Sequence, residues 1–447
     1  MKRIQRVNLI DGPILPTLLS FAFPILLSNI FQQLYNTSDV MIVGRFLGQK
    51  SLAAVGATSA IFDLIVGFAV GVGNGMSIII ARNYGAKNDD QLRKSVAATA
   101  VIGGILSLFV IFIGAVGLYP LLQFLGTPSA IVSQSYLYIA TIVNGVAVTF
   151  AYNLCAGLLR AVGDSLAALY FLIIAAILNI LLDLYFITQL HLGVQSAGIA
   201  TIIAQGISAL LCLLYIRKKV PFLLPHRKDF VWDKELYQDL LSQGLAMGLM
   251  TSIVSIGTVI LQSAINQLGT TIISAQVAAR RIMSFAVLPI TAIASSITTF
   301  ISQNFGAEQF HRIKKGVTIA NFLSWVWSVL VAALLFFTSP SITSFISGST
   351  NPDLIANASL YLQISSCFYP ILASLITLRN ALQGMGKKLT PLTSSFIELF
   401  GKIFFVLWII PHTGYMGVIL CEPLIWIPMT LQLIIIYRKI RYQLLTE

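Results

Sequence analysis

The chain consists of long apolar runs separated by short polar segments. Each run approaches or exceeds the roughly 20 residues that a helix needs to cross the hydrocarbon core of a bilayer. Apolar residues are continuous within a run and do not alternate with polar ones, which favours helices over strands. The pattern predicts twelve membrane-spanning helices, near residues 14–40, 52–80, 95–118, 131–157, 166–189, 198–216, 238–266, 271–302, 316–338, 354–381, 391–410 and 415–437.

The composition agrees with a membrane protein. Of the 447 residues, 57% are hydrophobic and only 10% are charged. Soluble domains carry about 25% charged residues, so this chain has too few charges to cover a soluble surface. A soluble globular enzyme, a disordered protein and a nucleic-acid binder are therefore excluded. We expect an all-α polytopic membrane protein that lies in the lipid bilayer.

The basic residues give the orientation of the helices. Lys and Arg number 28 against 16 Asp and Glu, a formal net charge of +12. Most of them fall in one set of alternate loops, from Lys2 and Arg3 at the start to Arg441 near the end. The opposite loops hold only Arg45 and Lys50. Because basic loops stay in the cytoplasm, we expect a multi-pass protein of the cell membrane with both termini cytoplasmic and no nucleic-acid partner.

The sequence also contains an internal repeat. The segment Asn83-Tyr84-Gly85-Ala86 recurs as Asn304-Phe305-Gly306-Ala307, and Gly48 recurs at the same interval as Gly269. With six spans in each copy, both copies cross the membrane in the same direction, which predicts two six-helix bundles related by a pseudo-two-fold axis along the membrane normal. Two such bundles would form a cleft suited to alternating access, although duplication for size alone stays open. The predicted boundaries are 1–219, a cytoplasmic linker at 220–236, and 237–447.

Ionisable groups inside the spans are candidates for chemistry, because each costs on the order of 2.5–3.5 kcal/mol to insert. Asp39 ends a polar stripe at helical spacing, and Asn179 and Asp183 lie one turn apart in another span. If the two spans adjoin, their oxygens form a small pocket. Two carboxylates there would share a proton or a hard cation such as Na⁺. A hydrogen-bonded network that serves only packing is the alternative. The stripe contains Asn29, Gln32, Gln33, Asn36 and Asp39.

Other charged residues in the spans have less definite roles. Glu398 and Lys402 are four residues apart and could neutralise each other on one helix face. Arg280 and Arg281 adjoin, so only one of them can fully face a cavity, where it could reach an acid. No partner is identifiable for Asp63 or Glu422.

Known motifs add one packing prediction. No phosphate-binding loop for ATP occurs, so transport would have to use an ion gradient or the gradient of the solute itself. No cluster with metal-ligand spacing or catalytic residues is apparent, and we expect no enzyme activity. Gly67, Gly71 and Gly75 form two overlapping GxxxG steps, which predict a close helix–helix contact.

Several segments together resemble one transporter family. They are Gln33-Leu34-Tyr35-Asn36-Thr37-Ser38-Asp39, Val43-Gly44-Arg45-Phe46-Leu47-Gly48, Asn179-Ile180-Leu181-Leu182-Asp183 and Gln303-Asn304-Phe305-Gly306-Ala307. The chain resembles bacterial multidrug and toxic compound extrusion (MATE) transporters over essentially its whole length. The resemblance implies an antiporter, driven by Na⁺ or H⁺ and without another cofactor. It would export small amphipathic, often cationic, organic compounds or drugs as a monomer.

The same resemblance assigns roles to individual residues. The cation-coupling residues would be Asp39, Asn179, Asp183, Ala197 and Thr201, with Na⁺ held by Asp39, Asn179, Asp183 and Thr201. A substrate pocket would include Tyr138, Gln33, Asn36, Asn153 and Arg280, and Pro24 would be the conformational hinge of the first span.

Two departures from the family pattern concern the substrate. Leu184 stands where many members have proline after the aspartate of the fifth span, and Arg280, Arg281 and Lys402 place basic groups in the second bundle. A flippase for a lipid-linked or polyprenyl-linked precursor, from the same wider superfamily, is therefore the alternative function, because basic groups would suit its phosphate. A membrane-embedded enzyme and a channel are further alternatives.

Overall fold

The computed structural model describes residues 6–446, and side chains as far as Arg441; Lys2 and Arg3 lie outside the described residues. All regular secondary structure of the described chain is helical, with no strand among these residues. We number the α-helices in chain order. They are α1 Ile14–Gly85, α2 Asp89–Phe124, α3 Ser129–Asn144, α4 Val146–Ala161, α5 Ser165–Thr188, α6 Gln195–Lys219, α7 Lys234–Asn266, α8 Thr270–Gly306, α9 Phe310–Ser347, α10 Pro352–Cys367, α11 Tyr369–Gly384, α12 Leu389–Phe404, α13 Ile410–Thr413 and α14 Tyr415–Thr446.

These helices account for the twelve predicted spans. Within the described residues, nine helical stretches are long and apolar enough to cross a membrane, or eleven when each bent pair counts as one span. The first stretch, α1, contains 72 residues and includes two predicted spans. They are separated at Gly48, whose φ of 82° lies in the left-handed region that glycine adopts without strain. The all-α polytopic class is therefore confirmed.

Two predicted spans are each broken into a bent pair of helices. The span predicted at 131–157 consists of α3 and α4, bent by 47° at Gly145. The span predicted at 354–381 consists of α10 and α11, bent by 57° at Phe368. Pro370 stands in the first turn of α11, where it has no N–H to donate to the preceding helix.

The span predicted at 391–410 is also irregular. It runs as α12 to Phe404, continues as a π-helical turn over Phe405–Ile409 and ends in the short α13. Pro411 follows this turn and cannot donate a backbone hydrogen bond, so the regular α-helical ladder cannot continue through it.

By packing, the chain forms two compact units. The first unit consists of Met1–Asn8 and Leu27–Ser252, and the second of Leu9–Leu26 and Ile253–Glu447. The chain passes between units inside α1 and again inside α7. The domain boundaries expected from the sequence stay a prediction.

Within the first unit, a buried cluster joins four helices. It contains Met76 from α1, Leu92 from α2, Phe150 from α4 and Ile216 from α6. In the second unit, α8 packs against α9, α10 and α11 around buried side chains that include Phe300 and Tyr369.

The predicted GxxxG contact occurs within the first unit, between α1 and the first part of α7. A Cβ added at Gly75 would lie 2.6 Å from the Gln243 carbonyl oxygen, and one at Gly71 would lie 2.9 Å from Gly248 Cα. Real Cβ atoms do not approach backbone this closely. The prediction of close helix packing is therefore confirmed.

The repeat also appears in the backbone. Gly48 and its counterpart Gly269 both have left-handed φ values, 82° and 96°. Lys87 and Glu308, which follow the two copies of the Asn-aromatic-Gly-Ala segment, have φ values of 53° and 58° although neither is glycine. Corresponding residues of the two copies thus make the same turns.

Candidate functional site

Helices α1, α5 and α6 of the first unit bring the predicted coupling residues together. Asp39 comes from α1, Asn179 and Asp183 from α5, and Thr201 from α6. Asn179 and Asp183 are completely buried, with no exposed side-chain surface, and Thr201 is nearly so. Asn179 and Asp183 are one turn apart on α5, so their side chains lie on the same face of the helix.

Hydrogen bonds connect these residues across the three helices. The Asn179 amide satisfies its neighbours when its nitrogen faces Asp39: it then donates to Asp39 Oδ1 at 2.6 Å, and its oxygen accepts from the Thr201 backbone N–H at 3.2 Å. The Thr201 hydroxyl donates to the Ala197 carbonyl at 2.9 Å. The structure thus joins Asp39, Asn179, Thr201 and Ala197 in one network.

Asp183 completes this site as the second carboxyl group. It lies within hydrogen-bonding reach of the Asp39 carboxyl. Its Oδ1 has no hydrogen-bond partner among the described residues. No basic side chain of the described chain pairs with either acid. Two facing carboxyls in a poorly solvated site repel each other strongly when both are charged. A proton on one of them, or a cation bound between them, removes this repulsion.

The available ligands fit either ion. The network that includes the carboxyl pair contains carboxylate, carbonyl and hydroxyl oxygens, which are ligands that hard cations prefer, while Asn179 turns its nitrogen toward Asp39. The orphaned Asp183 Oδ1 is a buried acceptor that an added proton or cation would satisfy.

Tyr35 belongs to the same network, although it is not among the residues predicted from the sequence. Its hydroxyl donates to Thr201 Oγ1 at 3.0 Å. Tyr35 lies one helical turn before Asp39, so the same spacing rule that connects the polar stripe could have included it. An aromatic residue in an apolar span is so common, however, that spacing alone does not mark it.

Of the predicted pocket residues, Tyr138 lies beside this network. Tyr138 packs against the buried cluster that contains Ala197. Asn36 accepts a hydrogen bond from Gln32, and Gln33 is half-buried on the same helix. The Asn153 amide is satisfied within α4, where it donates to the Thr149 carbonyl at 2.8 Å.

The first unit contains a small pocket between α1, α4, α5 and α6. Tyr35 forms part of its wall and also contacts Thr201, so the pocket adjoins the coupling network. Gln205, another lining residue, accepts from the Thr149 hydroxyl at 2.7 Å. The lining residues are Gln32, Tyr35, Tyr152, Leu172, Ala175, Ala176, Ala204 and Gln205.

Pro24, the predicted hinge, is buried within α1. It stands three residues before Leu27, where α1 passes from the second unit to the first. Because proline has no N–H, the carbonyl four residues earlier lacks its helical hydrogen bond and the helix is locally weakened.

Glu422 has two basic partners, which corrects the expectation that none is identifiable. Its Oε1 lies 3.1 Å from Arg280 Nη2 and 3.2 Å from Lys402 Nζ. The sequence could not reveal this contact because Arg280 and Glu422 are 142 residues apart. Lys402 also makes the predicted ion pair with Glu398, at 2.9 Å.

The remaining charged candidates stay apart from these networks. Asp63 on α1 and Arg281 on α8 are both exposed. Neither forms an ion pair among the residues that the structure describes.

The comparison with known proteins now identifies the family. The sequence model MatE matches residues 24–185 and, a second time, residues 246–408. The chain belongs to the MATE family. The two matches fall in the two halves of the chain, in agreement with the predicted duplication. MATE proteins are transporters and not enzymes, and this chain is a multi-pass membrane protein of that family.

Several relatives of this MATE protein are named as probable multidrug resistance proteins. The "Probable multidrug resistance protein YoeA" of Bacillus subtilis (strain 168) is 27% identical over 399 residues, which cover 88% of this chain and 86% of that protein. The "FAD transporter" of Shewanella oneidensis is 25% identical over 406 residues, which cover 88% of each chain.

Solved structures establish the fold of this MATE protein. A multidrug resistance MATE family transporter of the MOP superfamily, in an outward-facing conformation, matches with a TM-score of 0.90 over 99% of each chain, at 22% identity. The described helices therefore form the twelve-helix MATE fold.

Proposed function

We propose that this MATE transporter is a cation-coupled antiporter that exports small amphipathic, often cationic, organic compounds in exchange for Na⁺ or H⁺. The observation that carries this proposal is the pair of facing carboxyls, Asp39 and Asp183, without a basic partner among the described residues. Carboxyls that were paired with a fixed basic side chain would stay charged and would need no added ion. An unneutralised pair needs a proton or a cation and can release it again.

The mechanism follows from the contacts of the pair. Ion binding would satisfy Asp183 Oδ1 and draw α1, α5 and α6 together through Asn179 and Thr201. Ion release would leave two repelling carboxylates and loosen the same contacts. If ion and substrate favour opposite conformations, inward movement of the ion drives outward movement of the substrate.

The weakened turn of α1 at Pro24 is the proposed hinge for this change. It lies on the helix that carries Asp39 and close to the point at which that helix leaves the second unit. A change in the helix at this point would connect the state of the carboxyl pair to the rest of the molecule.

The proposed setting is the cell membrane, with both termini in the cytoplasm, and a single chain as the working unit. The biased distribution of Lys and Arg among the loops supports this orientation. Export then runs from the side of the basic loops to the opposite side.

The test is transport by purified protein in lipid vesicles under an imposed Na⁺ or pH gradient. We expect wild-type protein to move an ethidium-like cation against its gradient. An anionic lipid serves as the second substrate and tests the flippase alternative. Asp39→Asn should abolish gradient-driven transport without reducing the amount of folded protein, because the amide cannot bind a proton or balance a cation.

Asp63→Asn is the matched control, since it removes an exposed acid from the same helix. It should leave gradient-driven transport unchanged. Full ion-dependent transport by Asp39→Asn would contradict the proposed mechanism. Movement of the lipid alone would favour the flippase.

A further inference from the structure

Five alternating charges run through the second unit; we call them the charge chain. Arg379 lies 3.9 Å from Glu398, and Glu398 lies 2.9 Å from Lys402. Lys402 then lies 3.2 Å from Glu422, which lies 3.1 Å from Arg280. Three cations and two anions leave one positive charge uncompensated. Since an unpaired charge in a poorly solvated region is costly, an added anion would be stabilised there.

Arg280 is the most exposed member of the charge chain. Its side chain is 29% exposed, against 2% for Lys402 and 13% for Arg379 at the other end. Glu422, the neighbour of Arg280 in the chain, is 11% exposed. A ligand can therefore approach Arg280 more readily than the interior members.

The hydrogen-bond donors of Arg280 are mostly unused. A guanidinium has five N–H donors in a planar fork that matches the two oxygens of a carboxylate or phosphate. Among the described residues, Arg280 donates a hydrogen bond only to Glu422, through Nη2. The remaining donors are free to bind an acid in the bidentate manner.

Glu422 does not depend on Arg280 alone. The same oxygen that contacts Arg280 also lies 3.2 Å from Lys402 Nζ, and the Tyr361 hydroxyl donates to the other oxygen at 3.4 Å. If Arg280 turned toward another acid, Glu422 would keep both partners. Exchange of acids on Arg280 therefore leaves no buried charge unpaired.

Gln276 provides a second donor one turn from Arg280 on α8. Its side chain is 1% exposed, and its oxygen accepts from the Tyr415 hydroxyl at 3.0 Å. Its Nε2 makes no hydrogen bond of good geometry among the described residues, although the Tyr361 hydroxyl lies within reach of the side chain. Residues four apart share a helix face, so this amide nitrogen and the guanidinium can face one ligand.

We propose that Arg280, assisted by Gln276, binds the acidic group of the transported compound, a carboxylate or a phosphate. Substrates that carry an acid beside their apolar body are then preferred over purely cationic ones. This inference rests on the proposed function in assuming that the chain transports amphipathic organic compounds. It does not require that transport be coupled to an ion.

The test uses two dyes that differ only in the acid, rhodamine B and its ethyl ester. Binding is measured by fluorescence anisotropy with purified protein in phosphatidylcholine nanodiscs, without any ion gradient. Wild-type protein should bind the acid more tightly than the ester. Arg280→Gln should weaken binding of the acid by about tenfold or more, the loss expected for a charged hydrogen bond, and change binding of the ester by less than about twofold.

Arg281→Gln is the matched control, because it removes an exposed positive charge from the adjacent residue of the same helix. It should leave both affinities unchanged. Arg280→Lys keeps the charge but loses the planar fork, so it should give an intermediate affinity for the acid. This variant also supplies the test if Arg280→Gln does not fold.

The inference is overturned if wild-type protein binds both dyes equally, or if Arg280→Gln affects both alike. Nanodiscs that contain phosphatidylglycerol distinguish the source of the acid. Loss of rhodamine B binding there assigns the site to a lipid headgroup, and retained binding assigns it to a dissolved organic acid. Asp39→Asn should keep the preference for the acid, so failure of ion coupling and failure of this site give different results.

Discussion

At the scale of single residues, the Thr201 hydroxyl joins the pocket of the first unit to the carboxyl pair. It accepts from Tyr35 at 3.0 Å and donates to the Ala197 carbonyl at 2.9 Å. Its backbone N–H lies beside Asn179, whose amide contacts Asp39. Removal of this one hydroxyl would leave the Tyr35 hydroxyl with the Asp39 carboxyl as its acceptor within reach, while the carboxyls themselves stay in place.

Thr201→Val tests this role with little change of shape. We expect the ion concentration for half-maximal transport to rise about tenfold, because a lost buried hydrogen bond costs about 1–1.5 kcal/mol. The measurement is initial transport rate in vesicles against the concentration of Na⁺ or H⁺. Thr338→Val is the control, since that hydroxyl donates to the Leu334 carbonyl of its own helix. An unchanged half-maximal concentration in Thr201→Val would exclude the hydroxyl from ion binding.

The candidate site shows which residue contacts a sequence can predict. Asp39, Asn179 and Asp183 could be selected because helical spacing and the cost of burying charge are both visible in one segment of chain. The pairing of Arg280 with Glu422 could not be predicted, because it depends on how α8 and α14 pack. The spacing of residues within one segment carries no information about that packing. Tyr35 was missed for a different reason: tyrosine is so common in apolar spans that its presence does not indicate a site.

At the scale of helices, the contact of α1 with α7 depends on glycines. A Cβ at Gly75 would lie 2.6 Å from the Gln243 carbonyl oxygen and 2.8 Å from Gly244 Cα. Both neighbours are backbone atoms, so no side-chain rotation can relieve the overlap. The two helices would have to move apart, which would disturb the packing of the first unit.

Gly75→Val should therefore lower the free energy of unfolding by roughly 1–3 kcal/mol, the usual cost of overpacking. Gly56→Val makes the same substitution on the same helix, where a Cβ meets nothing within 4 Å, and should cost much less. The two variants are compared by thermal unfolding in detergent, which is monitored through labelling of the buried Cys155, Cys212 and Cys421. Equal melting temperatures for the two variants would contradict the close contact.

The helices were predicted better than their irregularities. Hydropathy locates an apolar segment of sufficient length, and this was enough for the spans. It does not record backbone dihedral angles, so the bends at Gly145 and Phe368 and the π-helical turn at Phe405–Ile409 were not predicted. Proline and glycine stand near these breaks, but the same residues also occur inside regular helices, as Pro340 does in α9.

At the scale of the whole molecule, the two units differ in the pairing of the acids that lie inside their predicted spans. In the first unit, Asp39 and Asp183 have no basic partner among the described residues. In the second unit, Glu398 and Glu422 are both paired with bases. We therefore propose that the exchangeable ion binds in the first unit and that the second unit recognises the acid of the substrate. The duplicated chain would then use one copy for each task.

Antiport can be tested most directly by reversing the direction of coupling. Vesicles with purified protein are prepared without an ion gradient and contain dyes for pH and Na⁺, and a substrate gradient is then imposed. Because coupling is reciprocal, substrate entry should drive H⁺ or Na⁺ out of the vesicles, and Asp39→Asn and Asp183→Asn should abolish this ion flux. Substrate entry by wild-type protein without any opposite ion movement would contradict ion-coupled antiport.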